Sequence, residues 1–229
     1  MKRFLPLVIL LILIGLAYYF RIDQYVTFKM LKEHRTALLG FVETHYILAP
    51  LIFIFVYFAV TSLALPIDIY FSLLSGFLFI QPLCTLYVII GATLGAVTIF
   101  MIARTALGES FFAKDNTLIQ KMKSGFQENE ISYMFFLRLM PVFPFWLVNI
   151  APAFFGVPLT TFAWTTLFGI IPGSFVFTQI GAGLGSILDH SEEFSLYAAF
   201  TTEMRIALIA LALFALLPIF LKKIWKKNT

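Results

Sequence analysis

Charged residues are scarce in this chain of 229 residues. Asp, Glu, Lys and Arg make up only 12% of it, whereas hydrophobic residues make up 61% and aromatic residues 17%. An ordinary soluble protein is about 25% charged, because its surface must be solvated. The composition therefore excludes the soluble globular and the intrinsically disordered classes. It predicts an all-α polytopic integral membrane protein.

Cysteine and histidine are nearly absent as well. The single cysteine, Cys84, excludes an internal disulfide and a cysteine-based metal cluster. The three histidines, His34, His45 and His190, lie in polar connecting stretches without the spacing of metal ligands. There is no Gly-x-Ser-x-Gly motif and no pair of acids at metal-ligand spacing, so we expect no enzyme, cofactor or metal site. The net charge of +4 gives no indication of nucleic-acid binding.

Long stretches without charge define the membrane segments. Two of them contain no charged residue. Two longer stretches contain one charged residue each: Asp68 in 46–103 and Arg138 in 133–188. A crossing needs about 20 apolar residues, so each longer stretch must fold back within the membrane. We predict about four to six transmembrane helices. The candidate crossings are 4–20, 46–64, 83–103, 159–180 and 205–221.

Proline and glycine interrupt the two longer stretches at corresponding positions. Residues 66–82 carry Asp68 and are expected to break at Gly76, and residues 134–158 carry Arg138 and four prolines. The prolines are Pro141, Pro144, Pro152 and Pro158. Both segments suit re-entrant helical hairpins better than crossings. Interrupted segments at corresponding positions of two halves are typical of inverted-repeat transporters; in the alternative, the prolines only kink two ordinary helices.

Three regions are expected along the chain. They are an N-terminal transmembrane helix with an amphipathic interfacial segment (1–45), the membrane core (46–190), and a C-terminal transmembrane helix with a basic tail (191–229). A cleaved signal peptide is the alternative for the N-terminal helix. Amphipathic stretches at 26–42 and 107–126 precede the two broken halves, and Thr117 with Gln120 is predicted as a capping box in the latter.

Charges outside the predicted spans indicate the orientation. Residues 189–203 contain four acids and no lysine or arginine, whereas four lysines follow Leu221, and the loop 104–130 carries Arg104, Lys114, Lys121 and Lys123. Because lysine and arginine accumulate on the cytoplasmic side, we expect the C-terminal tail and this loop there. Lys2 and Arg3 would place the N-terminus on the same side, which is incompatible with five crossings.

Arg138 is the strongest candidate for a functional residue. A charged side chain at the centre of a membrane helix costs on the order of 3 kcal/mol by insertion scales, so it must face protein, water or an anion. A guanidinium suits a carboxylate or a phosphate, and the only carboxylate in the other long stretch is Asp68. We therefore expect Asp68 and Arg138 to pair at a buried site, where Arg138 binds an anion. In the alternative, Arg138 only reaches the headgroups from near Tyr133.

Other candidates accompany this pair. Gly91 and Gly95 lie four residues apart on one helix face, a spacing that allows a neighbouring helix to approach closely. Arg104, at the end of that span, is expected either as a snorkelling anchor or as a further site residue. Asn149 is expected to bond backbone groups freed where Pro152 breaks the helix, and ligand binding is its second candidate role.

Three series of residues resemble the DedA family of membrane proteins, also described as the SNARE-associated Golgi protein or VTT-domain family. The series are Gly91-Gly95-Phe100-Arg104; Phe136-x-Arg138-x-x-Pro141-x-x-Pro144-Phe145-x-x-x-Asn149; and Phe162, Thr166, Gly169 and Pro172-Gly173. The resemblance runs from about Pro66 to Gly185 and assigns Arg104 and Arg138 to motif positions. Packing or hinge roles are expected for Gly91, Gly95, Pro141, Pro144, Gly169 and Pro172.

The resemblance implies two opposed re-entrant helices and movement of lipids or lipid-linked anions between leaflets, ion-coupled in bacterial members. The expected partners are therefore membrane lipids, a coupling proton or ion, and a second copy of the chain. A non-transporting membrane scaffold is the alternative function. We expect the bacterial inner membrane as the location. The ending Lys226-Lys227-Asn228-Thr229 resembles a dilysine retrieval signal and leaves a eukaryotic endomembrane as the alternative.

Overall fold

The computed structural model describes residues 33–112, 126, 128–140 and 143–189, with isolated residues near the two ends. The regular elements in this part of the chain are all helices, as predicted, and it contains no strand. Its helices are α1 (Arg35–Thr44), α2 (Leu48–Ser62), α3 (Asp68–Leu78), α4 (Leu83–Phe112), α5 (Glu130–Leu139), α6 (Phe145–Phe154), α7 (Leu159–Gly169) and α8 (Ile171–Asp189). We refer to α2–α4 as the first half and to α5–α8 as the second half.

Two stretches in the described part are long and apolar enough to cross a membrane. They are Leu83–Ala106, within α4, and Leu159–Gly183, which joins α7 to α8. The predicted crossing at 46–64 corresponds to α2, whose 15 residues extend only about 22 Å, less than the hydrocarbon thickness. The helix α1 meets α2 at 118°, and only this bent pair taken together would add a third span.

In the first half, α2 packs against α4 in the parallel direction. Gly91 faces Ile54 and Tyr57, and Gly95, one turn further along, faces Phe58 and Thr61. A methyl group at Gly95 would lie 2.6 Å from Cβ of Thr61, so the helices approach this closely because glycine occupies the position. After α2 the chain turns at Ala64, whose φ of 53° is left-handed, and continues into α3.

The expected break at Gly76 is wrong, because α3 runs without interruption through this residue. Irregular backbone flanks the helix instead, at 63–67 and at 79–82. The glycine serves a close contact: a methyl group at Gly76 would overlap the backbone oxygen of Thr178 on α8. Beside this contact Gln81 Nε2 donates to Thr178 Oγ1 at 2.8 Å, and the hydroxyls of Thr85 and Thr178 lie 2.7 Å apart.

In the second half, the chain is interrupted between α5 and α6, as the prolines predict. Pro144 is the N-cap of α6, but Pro152 lies inside this helix and does not end it. The expectation that Pro152 breaks the helix is therefore wrong. The predicted kink in the last long helix is found as an interruption at Ile170, two residues before Pro172.

Two buried apolar clusters form the core. The first cluster consists of Phe53, Tyr57, Val60, Leu65, Ile67, Phe71, Val88, Ile89, Ala92 and Ile170. The second cluster consists of Ala96, Phe100, Ala103, Phe126, Met134, Ala153, Val157 and Phe162. The two meet along α4, and Phe145, at the start of α6, packs against both of them. This ring therefore marks the level at which the clusters adjoin.

Several sequence-based predictions fall outside the described residues. They concern the crossings at 4–20 and 205–221, the amphipathic stretch at 107–126 beyond Phe112, the Thr117–Gln120 capping box, Pro141 and the basic tail.

Candidate functional site

Arg138 lies in the last turn of α5, at the interruption that separates α5 from α6. Its Nη1 group donates to Oδ1 of Asn149 on α6 at 2.5 Å, and its Nη2 group donates to Oγ1 of Thr166 on α7 at 2.7 Å. Asn149 is 1% exposed and Thr166 is fully buried. One guanidinium thus connects three helices of the second half inside the protein.

Aromatic rings and a glycine shape the surroundings of this side chain. The guanidinium carbon lies 5.3 Å from the ring centroid of Phe145 and 5.1 Å from that of Phe162, distances at which a cation is attracted to a ring face. Gly169 on α7 leaves room for the aliphatic stem, since a methyl group there would lie 2.9 Å from Cβ of Arg138. The stem and the guanidinium are therefore both held in place.

Among the described residues, the guanidinium of Arg138 has only neutral hydrogen-bond partners. An amide oxygen and a hydroxyl accept from its two terminal nitrogens, and its Nε is buried without a hydrogen-bond partner among the described residues. A buried guanidinium is ordinarily paired with a carboxylate or fully hydrogen-bonded. The guanidinium therefore carries a charge that these partners do not compensate, and its Nε donor is unbonded.

Asp68, at the first position of α3, has a separate set of contacts. Its Oδ1 accepts from Oγ1 of Thr61 at 3.0 Å, and its backbone oxygen accepts from Ser72 at 3.0 Å and from the Tyr57 hydroxyl at 3.2 Å. Arg138 is not among its partners in the described structure. The expected direct pairing of Asp68 with Arg138 is therefore wrong, because each side chain has neutral partners within its own half.

Arg104 and Asn149 have different surroundings. Arg104 is exposed and its Nη1 lies 3.5 Å from the backbone oxygen of Val157, so it does not join the hydrogen bonds around Arg138. Within the described structure, the side chain of Asn149 accepts from Arg138 and does not bond backbone freed by Pro152. The amide is thus a direct neighbour of the buried charge.

Four residues that contact the charged side chains of these two sites were not predicted as site residues from the sequence: Thr61, Phe145, Phe162 and Thr166. A signal was present for three of them, because Phe145, Phe162 and Thr166 belong to the residue series that carry the family resemblance. Thr61 had no such signal. Threonine is common in membrane helices, where its hydroxyl usually bonds the helix's own backbone.

The long apolar helices, the interrupted helices between them and the isolated charges within apolar stretches define a polytopic α-helical membrane protein. The chain matches the VTT domain over residues 65–183, which is more than half of its length. It therefore belongs to the VTT-domain family, the DedA/SNARE-associated Golgi group, and the family resemblance seen in the sequence is confirmed.

Curated relatives carry the name transmembrane protein 41. The Caenorhabditis elegans homolog is 33% identical over 179 residues, which cover 76% of this chain and 70% of that protein. The Drosophila melanogaster homolog is 32% identical over 74% of this chain and 52% of its own length. Transmembrane protein 41B of Rattus norvegicus is 31% identical over 81% of this chain and 63% of its own length. No solved structure matches the chain significantly.

Proposed function

We propose that this protein translocates lipids or lipid-linked anions between the two leaflets of a membrane, in the manner of a scramblase or flippase. The observation that carries the proposal is the half-buried guanidinium of Arg138, which has neutral partners and a buried, unused donor at Nε among the described residues. A phosphate on the headgroup would supply both the missing negative charge and the missing acceptor.

The cost of burying charge favours this function over a membrane scaffold. A scaffold needs only helix packing, which glycines and apolar side chains provide at lower cost than a buried arginine. An ionisable residue inside a membrane is rare and is ordinarily retained where a substrate or ion passes. Arg138 and Asp68 both have this property, so translocation accounts for two residues that a scaffold leaves without a role.

The course of the helices supports the inverted repeat, which is part of the proposal. In the first half α2 reaches only the level of Gly95, near the middle of the span 83–106, before the chain turns back into α3. In the second half α5 runs parallel to α7, since Glu130 bonds Thr161 and Arg138 bonds Thr166. The chain turns back into α6 between them. Each half then consists of a hairpin and a long helix.

The long helices of the two halves run in opposite directions. Arg104, late in α4, lies against Val157 before α7 begins, and Phe100 of α4 stacks on Phe162 of α7 at 4.1 Å between ring centroids. With the long helices antiparallel, the two hairpins would enter from opposite sides. Their tips would carry Asp68 and Arg138 toward the middle of the membrane, where inverted-repeat transporters hold their substrates.

We assign Asp68 to ion coupling. Its carboxylate accepts one hydroxyl hydrogen bond from Thr61 and has no cation as partner in the described structure. A proton can therefore bind it without breaking an ion pair. This role is separate from the anion-binding role of Arg138, because the two side chains have different hydrogen-bond partners.

Purified protein in liposomes tests the function directly. Labelled phospholipids in the inner leaflet should become accessible to a membrane-impermeant quencher, and the rate should fall about tenfold or more in Arg138→Gln, which removes the charge. The rate should also be low in Arg138→Lys, because a lysine ammonium keeps the charge but lacks the planar fork of the guanidinium. Arg35→Gln is the matched control, since it removes the same charge outside the VTT domain. Wild-type protein that leaves the label protected, at equal incorporation, would overturn the proposal.

Orientation and location complete the proposal. The loop 104–130 and the tail after Leu221 lie on the cytoplasmic side, and an externally active reporter fused at Thr229 would contradict this. The relatives reported above are eukaryotic, which favours the endomembrane alternative over the bacterial inner membrane. Fractionation of native membranes tests the location.

A further inference from the structure

Three side-chain atoms in the described part of the chain are buried without a hydrogen-bond partner: Nε of Arg138, Oγ1 of Thr93 and Oγ of Ser62. Buried polar groups in proteins are ordinarily paired, and each exception calls for a specific explanation. The function proposed above explains the unbonded Nε of Arg138, because a phosphate would accept from it. Ser62 adjoins Thr61, the donor to Asp68. Thr93, on α4, belongs to neither set of hydrogen bonds.

Thr93 differs from other threonines on the same helix. Thr98 donates to the backbone oxygen of Leu94 at 3.0 Å, and Thr105 donates to that of Met101 at 2.9 Å. This bond to the residue four positions earlier is the usual way in which a membrane helix satisfies a hydroxyl. The corresponding oxygen, that of Ile89, is not used by Thr93. The side chain therefore adopts a rotamer that leaves its hydroxyl unbonded, although its own helix offers the backbone oxygen of Ile89 as an acceptor.

The position of Thr93 relates it to Arg138. Thr93 lies one helical turn after Ile89, a member of the first cluster, and one turn before Val97, which packs against the second cluster. Phe145 packs against both clusters, and the guanidinium of Arg138 lies 5.3 Å from the ring of Phe145. The unbonded hydroxyl of the first half and the unbonded Nε of the second half thus lie at the level where the two clusters adjoin.

We propose that Thr93 and Arg138 are opposite sides of one ligand site, and that the Thr93 hydroxyl binds the phosphate group that Arg138 attracts. The site then spans both halves, with α4 supplying a hydroxyl and α5 supplying the guanidinium. The ligand class is a phosphate group, either as an ester on a lipid headgroup or as free inorganic phosphate. This inference rests on the proposed function for the role of Arg138, and it adds a residue that determines affinity.

Ligand-induced stabilisation of the full chain in detergent tests the site without relying on transport. Two probes separate the two sources of phosphate: a water-soluble short-chain phosphatidic acid and inorganic phosphate. We expect the short-chain lipid to raise the unfolding temperature of the wild type and to have no such effect on Arg138→Gln. In Thr93→Val, which replaces only the hydroxyl by a methyl group, the apparent affinity should fall about fivefold or more.

The control variants separate binding from folding. Thr98→Val makes the same change at a hydroxyl that is bonded to its own helix, and Thr93→Ser keeps the hydroxyl; both should retain the wild-type affinity within about twofold. Without ligand, Thr93→Val should unfold at the same temperature as the wild type or a higher one, because an unpaired buried hydroxyl is removed. A purely structural role would instead lower this temperature.

Each result decides the proposal. Wild-type affinity in Thr93→Val, or no stabilisation of the wild type by either probe, would overturn it. Stabilisation by inorganic phosphate alone would support the shared site but contradict lipid as the substrate. Stabilisation by the lipid in a protein that fails the liposome assay would leave the site intact and reject only the translocation function.

Discussion

The neutrality of Asn149 governs what Arg138 can bind. Asn149 is the acceptor nearest to the guanidinium, and an amide leaves the positive charge of that group uncompensated. In Asn149→Asp a carboxylate would take the same place and form a charge-assisted bond. We expect the unfolding temperature to be kept or raised, while lipid exchange in liposomes falls about tenfold. Exchange within about twofold of the wild type would mean that the net charge of the site does not matter.

Gly169 controls the position of the Arg138 stem. In Gly169→Ala the new methyl group would lie 2.9 Å from Cβ and 3.1 Å from Cγ of Arg138, so α5 and α7 must separate slightly. We expect a loss of about 1–3 kcal/mol of stability, seen as a lower unfolding temperature. Gly173→Ala is the control, because no atom lies within 4 Å of that methyl group. Equal effects of the two changes would contradict this steric explanation.

The sequence identifies the charged residues of the site but not their partners. Asp68 and Arg138 stand out because each is the only charge in a long apolar stretch. Thr61 and Thr166 are two of many hydroxyl residues, and only the packing of helices decides which of them lies within 3 Å of a charge. If charge alone decided the partners, Asp68 and Arg138 would pair with each other. The fold instead gives each of them neutral partners nearby, and it leaves Nε of Arg138 unbonded among the described residues.

At the scale of elements, Gly76 has a different role from the one its helix propensity suggests. Glycine weakens a helix by about 1 kcal/mol, which is why a break was expected there. The contact with Thr178 shows that the missing side chain allows α3 and α8 to meet backbone to backbone. Gly181 on α8 makes the reciprocal contact, because a methyl group there would overlap the backbone oxygen of Leu73 on α3. A single sequence does not distinguish a glycine that ends a helix from one that permits a crossing.

This contact predicts a severe effect of Gly76→Ala. The obstructing atoms belong to the backbone of Thr178, which cannot rotate away as a side chain can, so α3 and α8 must move apart. We expect a loss of about 3 kcal/mol or more and a reduced yield of monodisperse protein in detergent. Gly40→Ala in α1, where no atom lies within 4 Å, should be neutral or slightly stabilising. A Gly76→Ala protein as stable as the wild type would show that this crossing can relax.

At the scale of the whole molecule, α4 is long enough for its two ends to lie at opposite membrane surfaces. Its apolar part, Leu83–Ala106, has 24 residues and extends about 36 Å, enough to cross the hydrocarbon. The loop that ends the first hairpin directly precedes α4, whereas the connection from α6 to α7 lies near its other end, since Arg104 contacts Val157. The order of the helices is predictable from the sequence, and so is this separation of the two connections. The contacts between the halves are not predictable in this way, because they depend on how the side chains pack.

Accessibility of two engineered cysteines tests the inverted arrangement. Ile80, 77% exposed, lies in the loop before α4, and Thr160 is exposed at the start of α7. In a Cys84→Ala background, which removes the single native thiol, Ile80→Cys and Thr160→Cys should react with a membrane-impermeant maleimide from opposite sides. Thr160→Cys should be labelled on the cytoplasmic side, together with the loop 104–130, because this loop and α7 adjoin the same end of α4. Labelling of both cysteines from one side would mean that α4 does not separate them, and the two hairpins would then enter the membrane from the same surface.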